Sequence, residues 1–226
     1  MDEITKAVRE QYEAFPYPGR APMSRVATDA RFLLSLGKKT RPSSAQIRVL
    51  DAGCGRGAGI IGCATLQPDI EFLGIDINRV GLKELKEQIF ARSLKNVQVQ
   101  EVDLMTLENL DVPEGGFDVI YSSGVLHHLS DPTEGLRRLR SVLAPHGVIS
   151  LMVYGLHARQ PLYRLINATN LLIPKDIPLH ERIKPTRVLA EFCSKGILKE
   201  TPWDFVPNSS DTEFVDLCLN PNETSY

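Results

Sequence analysis

The sequence predicts an α/β fold built on an open, doubly wound, mostly parallel sheet. Three observations predict it. Between residues 47 and 154, short apolar runs alternate with amphipathic helical stretches, the pattern of right-handed βαβ units. Glycines at 53, 55, 57 and 59 crowd behind the first run, in "VLDAGCGRGAGIIGCA" (49–64). Acidic or hydroxyl residues stand where successive runs end: Asp51, Asp76, Asp103, Ser122 and Ser123. In an open parallel sheet those ends share one rim, and ligands bind there.

Each element has a local cause. Residues 2–15 read as an amphipathic helix, because Ile4, Val8, Tyr12 and Phe15 recur at helical spacing. Pro16 stops it. Ser24 is placed to cap a helix over 25–36, which Gly37 ends. "KKTRPSSAQ" (38–46) is a polar linker. "IRVLDAG" is a short buried strand, and "GAGIIGCATLQ" a helix that stops at Pro68. "EFLGIDI" (71–77) is the second strand. Asn78 caps the next helix, which carries Leu82, Leu85 and Ile89 on one face. "VQVQEVD" (97–103) and "FDVIYSS" (117–123) are strands three and four. Pro132 opens a helix over 132–143, and "GVISLMVY" (147–154) is the fifth strand.

The strands differ. "VISLMV" is apolar on both faces, as a central parallel strand is. "VQVQEV" alternates, as an edge strand does. The third strand therefore belongs at an edge and the first near the middle. After 155, "RQPLYRLINATNLLI" reads as a helix ended by Pro174. Pro174, Pro178 and Pro185 break up a loop, "TRVLAEFCSK" is a short helix stopped by Gly196, and Ser210 with Glu213 forms a capping box.

Composition limits the function. The 226 residues carry a formal net charge of −2, which gives no general attraction to nucleic acid or anionic membrane. No run approaches the roughly 18 apolar residues of a membrane span. The acidic start "MDEITKAVRE" lacks a signal core. Cys54, Cys63, Cys193 and Cys218 show no C-x-x-C pair, so neither a metal site nor a disulfide framework is expected. These features predict a cytoplasmic protein.

The glycine loop has two readings. Residues 53–58 match G-x-G-x-x-A, a dinucleotide fingerprint, and Asp76 lies about 20 residues on, where an acid that binds NAD ribose stands. Asp51 separates the readings. A carboxylate at the loop entrance repels a pyrophosphate, at a cost of several kcal/mol in a partly desolvated cleft. A guest carrying an ammonium or a sulfonium is instead attracted. S-adenosylmethionine carries both, with a ribose for Asp76.

The order "VLDAGCGRG", "GIDI", "VDL", "FDVIYSSGVLHHLSDP", "LRSVLAPHGVISLMV" resembles a class I S-adenosylmethionine-dependent methyltransferase of the ubiquinone-biosynthesis-like group, methyltransferase type 11 or 12, over residues 47–154. "QYEAFPYP" (11–18) also resembles the leader of some bacterial methyltransferases of unassigned substrate. The resemblance implies a Rossmann-like fold and direct displacement of the methyl group onto an unidentified small-molecule or protein acceptor, leaving S-adenosylhomocysteine. It implies that Asp51, with the Gly53 and Gly55 backbone, holds the methionine end and that Asp76 accepts the ribose hydroxyls. Ile77 then packs on adenine, Asp103 and Leu104 meet its edge, and Ser122 and Ser123 line the methyl side.

Plainer readings stand beside these roles. Asp103 is also a turn former, and Asp51 a structural acceptor. His127 and His128 are candidate general bases. Read plainly, they belong to a turn in which Asp131 caps the helix at Pro132, and that reading is preferred because methyl transfer needs little acid–base help. Tyr12, Phe15 and Tyr17 either pack or close a lid over the cofactor. Arg20, Arg159 and Arg164 read as surface residues, or as contacts to an acidic acceptor.

The expected organisation is a helical leader over 1–46, a cofactor-binding core over 47–154 and a helical extension over 155–226 that shapes the acceptor region. Class I enzymes usually add two strands after the fifth. None is convincing in 197–226, where Pro202 interrupts "ILKETPWDFV". A bare fifth-strand edge calls for covering helices or a homodimer partner. The rival functions are a non-catalytic S-adenosylmethionine-binding or interaction module and an NAD-dependent oxidoreductase.

Overall fold

The computed structural model describes residues 1–18, 29–37 and 46–226. Helix α1 (Glu3–Ala14) starts where the Asp2 side chain accepts from the Thr5 backbone N–H at 2.8 Å. The same cap turns Thr5 inward, so its buried face is Thr5, Val8 and Gln11. Ile4, expected on that face, is exposed. Helix α2 (Ala30–Leu36) is capped by Asp29 and so begins later than expected. Ser24, Arg20 and linker positions 38–45 lie outside the described residues.

The sheet contains β1 (Arg48–Ala52), β2 (Glu71–Asp76), β3 (Val97–Glu101), β4 (Phe117–Ser123) and β5 (Leu143–Met152), in the order β3-β2-β1-β4-β5. All four pairings are parallel. The chain winds outward from β1 to β3, then crosses to β4 on the other side. That reversal leaves a crevice at the carboxyl ends of β1 and β4. Helices α3 (Ile60–Leu66) and α4 (Arg79–Ala91) pack on one face, and α5 (Pro132–Ser141) on the other. Because both faces are covered, Val49, Leu50, Val119 and Ile120 are fully buried.

β3 occupies an edge, as its alternation predicts. β5 corrects the reading of "VISLMV" as a central strand: it lies at the opposite edge, paired with β4 alone. Val148 packs on one core cluster and Ile149 on the other, so both faces are apolar although one edge has no strand partner. Face patterning reports which faces are covered and is silent about edges. The strand also begins four residues earlier than expected, with a bulge opposite Phe117–Val119.

Helices α6 (Leu156–Leu172), α7 (Leu179–Cys193) and α8 (Asp211–Cys218) enclose a third apolar cluster around Phe214, Leu162 and Leu165. Pro161 lies inside α6, within the helix read from the sequence, whereas Pro185, expected in a loop, lies inside α7. An interior proline costs about 3 kcal/mol. Continuing α7 packs Ile183, Leu189 and Ala190 against Phe214's cluster, which offsets that loss. The Ser210–Glu213 capping box starts α8. Residues 197–205 form turns, a 3₁₀ helix follows at Val206–Asn208, and no strand follows β5 among the described residues. No described helix is long and apolar enough to cross a membrane.

Phe214 is the largest fully buried side chain of the third cluster. Phe214→Ala is expected to cost about 3–5 kcal/mol, read as a lowered midpoint in denaturant unfolding.

Candidate functional site

A cleft of about 500 Å³ opens at the carboxyl ends of β1, β2 and β4. A shallower groove between α4 and β3, lined by Lys86, Phe90 and Lys95, collects none of the residues at the strand ends.

The cleft floor is the glycine loop after β1. The N–H groups of Gly53 and Cys54 both donate to Ile75 O, at 2.8 and 3.0 Å, which ties the loop to β2. Gly53 has a φ of +87°, and a Cβ there would fall 2.2 Å from a Val125 methyl carbon. Only glycine satisfies both constraints. Gly55 donates its N–H to Asp76 Oδ2 at 2.7 Å, and Asn78 donates its own to Asp76 Oδ1 at 2.8 Å. Each Asp76 oxygen keeps a lone pair, so the carboxylate can still accept a pair of hydroxyls.

Asn78 does two further jobs. Its Oδ1 accepts from Gly81 N–H at 3.0 Å and caps α4, as expected, while Nδ2 donates to Tyr12 O at 3.1 Å. The second bond lays α1 along the cleft, where Thr5, Val8 and Tyr12 form part of its wall.

Asp51 also lines the cleft, and it accepts no hydrogen bond among the described residues. Burial, and then the neighbouring Asp76, push its carboxyl up to about 7. Burial likewise raises Asp76, against the backbone hydrogen bonds that favour its charged form. The loop's own cation does not answer this charge, because Arg56 pairs with Glu84 and donates to Pro18 O. The site suits a guest with positive charge near Asp51 and a diol near Asp76.

Ile77, Asp103, Leu104 and Ser123 reach the cleft as the sequence predicts. Asp103 also forms a turn, accepting from Met105 N–H at 2.8 Å. Ser122 does not reach the cleft. Neighbouring residues of a strand face opposite sides, and its hydroxyl is fully buried, donating to Ala52 O at 3.1 Å.

The two histidines also separate, within one 3₁₀ turn, Leu126–His128. His127 is fully buried, stacks on Tyr154 at 3.8 Å, and is absent from the cleft wall. Burial, with His128 beside it, pushes its pKa down to about 3, and its place behind the wall keeps it from the cleft where the base considered above would act. His128 does line the cleft. Its Nδ1 lies 2.8 Å from Asn222 O, so the neutral ring carries its proton on Nδ1 and a lone pair on Nε2. Burial holds its pKa below the usual value. Asp131 caps α5 through Glu134 N–H at 2.9 Å, as the turn reading has it.

The far wall escapes the sequence. Tyr12 donates its hydroxyl to Asp216 at 2.7 Å, across 204 positions of chain. Arg159, expected at the surface, is buried under a bidentate pair with Glu223 at 3.1 and 2.9 Å and lies 3.7 Å over the Tyr154 ring. Arg164 is exposed. One signal was present: "FVDLC" sets Asp216 among residues that a short helix buries. An acid in such a run needs a partner or a task.

Comparison with known proteins adds the following. Residues 43–196 match a family model described as a methyltransferase domain. An uncharacterised protein of Synechococcus is 28% identical, over 100% of this chain and 56% of its own length. The chain thus spans little more than half of that relative. A ubiquinone biosynthesis O-methyltransferase of Haemophilus ducreyi is 28% identical, over 67% of this chain and 65% of its own. Among solved structures, PKMT2 of Rickettsia typhi in complex with AdoHcy has the same fold, with a TM-score of 0.64 at 21% identity. That likeness covers 87% of this chain and 39% of the other.

The Asp51 carboxyl yields a pH prediction. Its folded pKa is raised above the unfolded value, so its contribution to stability is present below about pH 4 and is lost as pH rises through about 7. Asp51→Asn removes the penalty. It is expected to stabilise the cofactor-free protein at pH 8 by about 1–3 kcal/mol and to change little at pH 4, as measured by unfolding at both values.

Proposed function

The chain belongs to the methyltransferase-domain family, and from that premise we propose that its cleft binds S-adenosylmethionine for transfer of the methyl group to an acceptor. The observation that carries this reading is the Asp51 carboxyl, without a partner among the described residues and beside Asp76. Two carboxylates facing one cleft repel a diphosphate and attract a cation. This argues against the NAD reading of the same glycine loop. The AdoHcy held by PKMT2 of Rickettsia typhi supports the choice by analogy of fold.

When bound, S-adenosylmethionine supplies an electrophilic methyl on sulfur whose loss leaves a neutral thioether. The residues of this chain do the rest. Asp51 and the loop backbone at Gly53 and Gly55 hold the charged methionine end. Asp76 orients the ribose through its two remaining lone pairs, pre-set by Gly55 and Asn78. Ile77 and Leu104 supply the apolar bed for adenine, and Asp103 accepts at its edge. Helix α1, fastened at Tyr12 by Asn78 and Asp216, closes the cleft and excludes water. The displacement needs no covalent intermediate with the protein, so catalysis rests on positioning.

Calorimetry with S-adenosylmethionine, S-adenosylhomocysteine and NAD tests the proposal. The first two are expected to bind saturably. Asp76→Ala is expected to weaken both by about 1.5–3 kcal/mol, from lost charge-assisted hydrogen bonds. Saturable binding of NAD alone, or a folded Asp76→Ala variant with unchanged affinity, would contradict it.

A further inference from the structure

Beyond Tyr12 the cleft has a second end, walled by α8, by Trp203 and Phe205, and by His128 and Tyr154. Its hydrogen-bonding capacity is one-sided. Asp216 is only 3% exposed. One of its oxygens accepts the Tyr12 hydroxyl, and the other accepts nothing among the described residues. His128 is 4% exposed, and its Nε2 has no partner among the described residues. The tie from Nδ1 to Asn222 O makes that nitrogen an acceptor.

The nearby donors are already engaged. Arg159 is held bidentate by Glu223, and Trp203 Nε1 donates to Ala158 O at 2.7 Å. The Tyr12 hydroxyl donates to Asp216. The Tyr154 hydroxyl can accept as readily as donate. Charge follows in part: Arg159 is paired with Glu223, although it still favours the Asp216 carboxylate from a distance, and no cation pairs with Asp216 among the described residues. A guest that satisfies this end must bring hydrogen-bond donors and positive charge.

We propose that this end is the acceptor subsite and that it takes an amine, held as its ammonium by Asp216 and presented to His128 Nε2. The proposal rests on the methyl-transfer reading and names its substrate class. The ammonium first gives one proton, through His128 Nε2, to solvent. The freed nitrogen lone pair forms the bond to the methyl carbon as the carbon–sulfur pair withdraws onto sulfur. The positive charge passes from sulfur to the methylated nitrogen, and nothing is oxidised or reduced.

The test titrates butylammonium, 1-butanol and butanoate, in turn, into protein saturated with S-adenosylhomocysteine, with heat as the readout. Butylammonium is expected to bind at least about tenfold more tightly than either of the others. Asp216→Asn keeps an oxygen for Tyr12. It is expected to erase that preference, whereas Tyr12→Phe, which loses the same tie to α1 but keeps the carboxylate, is expected to retain it. Butanoate binding as tightly as butylammonium, or no saturable butylammonium heat, overturns the amine assignment. A loss of S-adenosylhomocysteine affinity in Asp216→Asn that Tyr12→Phe does not share gives that carboxylate to the cofactor and overturns it too. Wild-type protein that fails to bind S-adenosylhomocysteine overturns the cofactor reading, and this assignment with it.

Discussion

Two carboxylates at neighbouring strand ends, Asp51 and Asp76, set the terms for the rest of the molecule. β1 and β2 pair in parallel with Asp51 opposite Gly74, and the chain then carries Asp76 to the same rim. The loop answers only one of them. Gly55 and Asn78 give their N–H groups to Asp76, while Asp51 receives none. The fold bears this repulsion because β1 and β2 are locked beneath it by fully buried Leu50, Ala52 and Ile75. A site that holds negative charge in waiting is stabilised by the guest that neutralises it.

The second constraint is closure. Helix α1 is tied along the cleft from several directions. Asn78 donates to Tyr12 O from α4, Asp216 accepts the Tyr12 hydroxyl from α8, and Ser130 donates to Asp2 from the turn before α5. The last residues extend the same fabric. Asn222 O meets His128 Nδ1, its side chain donates to His128 O and Leu129 O, and Glu223 grips Arg159. Segments from both ends of the chain thus fix the geometry of groups that project from the sheet.

What could be read from the sequence follows the range of the forces involved. Local rules located β1 to β4, the Asn78, Asp131 and Ser210 caps and the glycine loop, because strand patterning and capping act within a few residues. Asp51, Asp76, Asp103 and Ser123 could be assigned to one rim because strand ends converge in any parallel sheet. Strand alternation alone should have removed Ser122. The edge position of β5 was hidden, because both its faces are apolar for reasons unrelated to its neighbours. Pro185 in α7 was hidden because a tertiary contact overrode a local penalty. The Asp216 wall was hidden most deeply, since Tyr12 and Asp216 meet only after the whole chain has folded.

The charge at Asp51 shows in proton exchange. With its carboxyl raised to about 7 by burial and Asp76, part of the population holds a proton at neutral pH. A cationic guest beside it draws that carboxyl downward, so binding S-adenosylmethionine should release a fraction of a proton per site. Calorimetry in buffers of different ionisation enthalpy measures this exchange. Net release is the predicted result. Proton uptake, or no exchange at all, would contradict the claim that this carboxylate selects the guest.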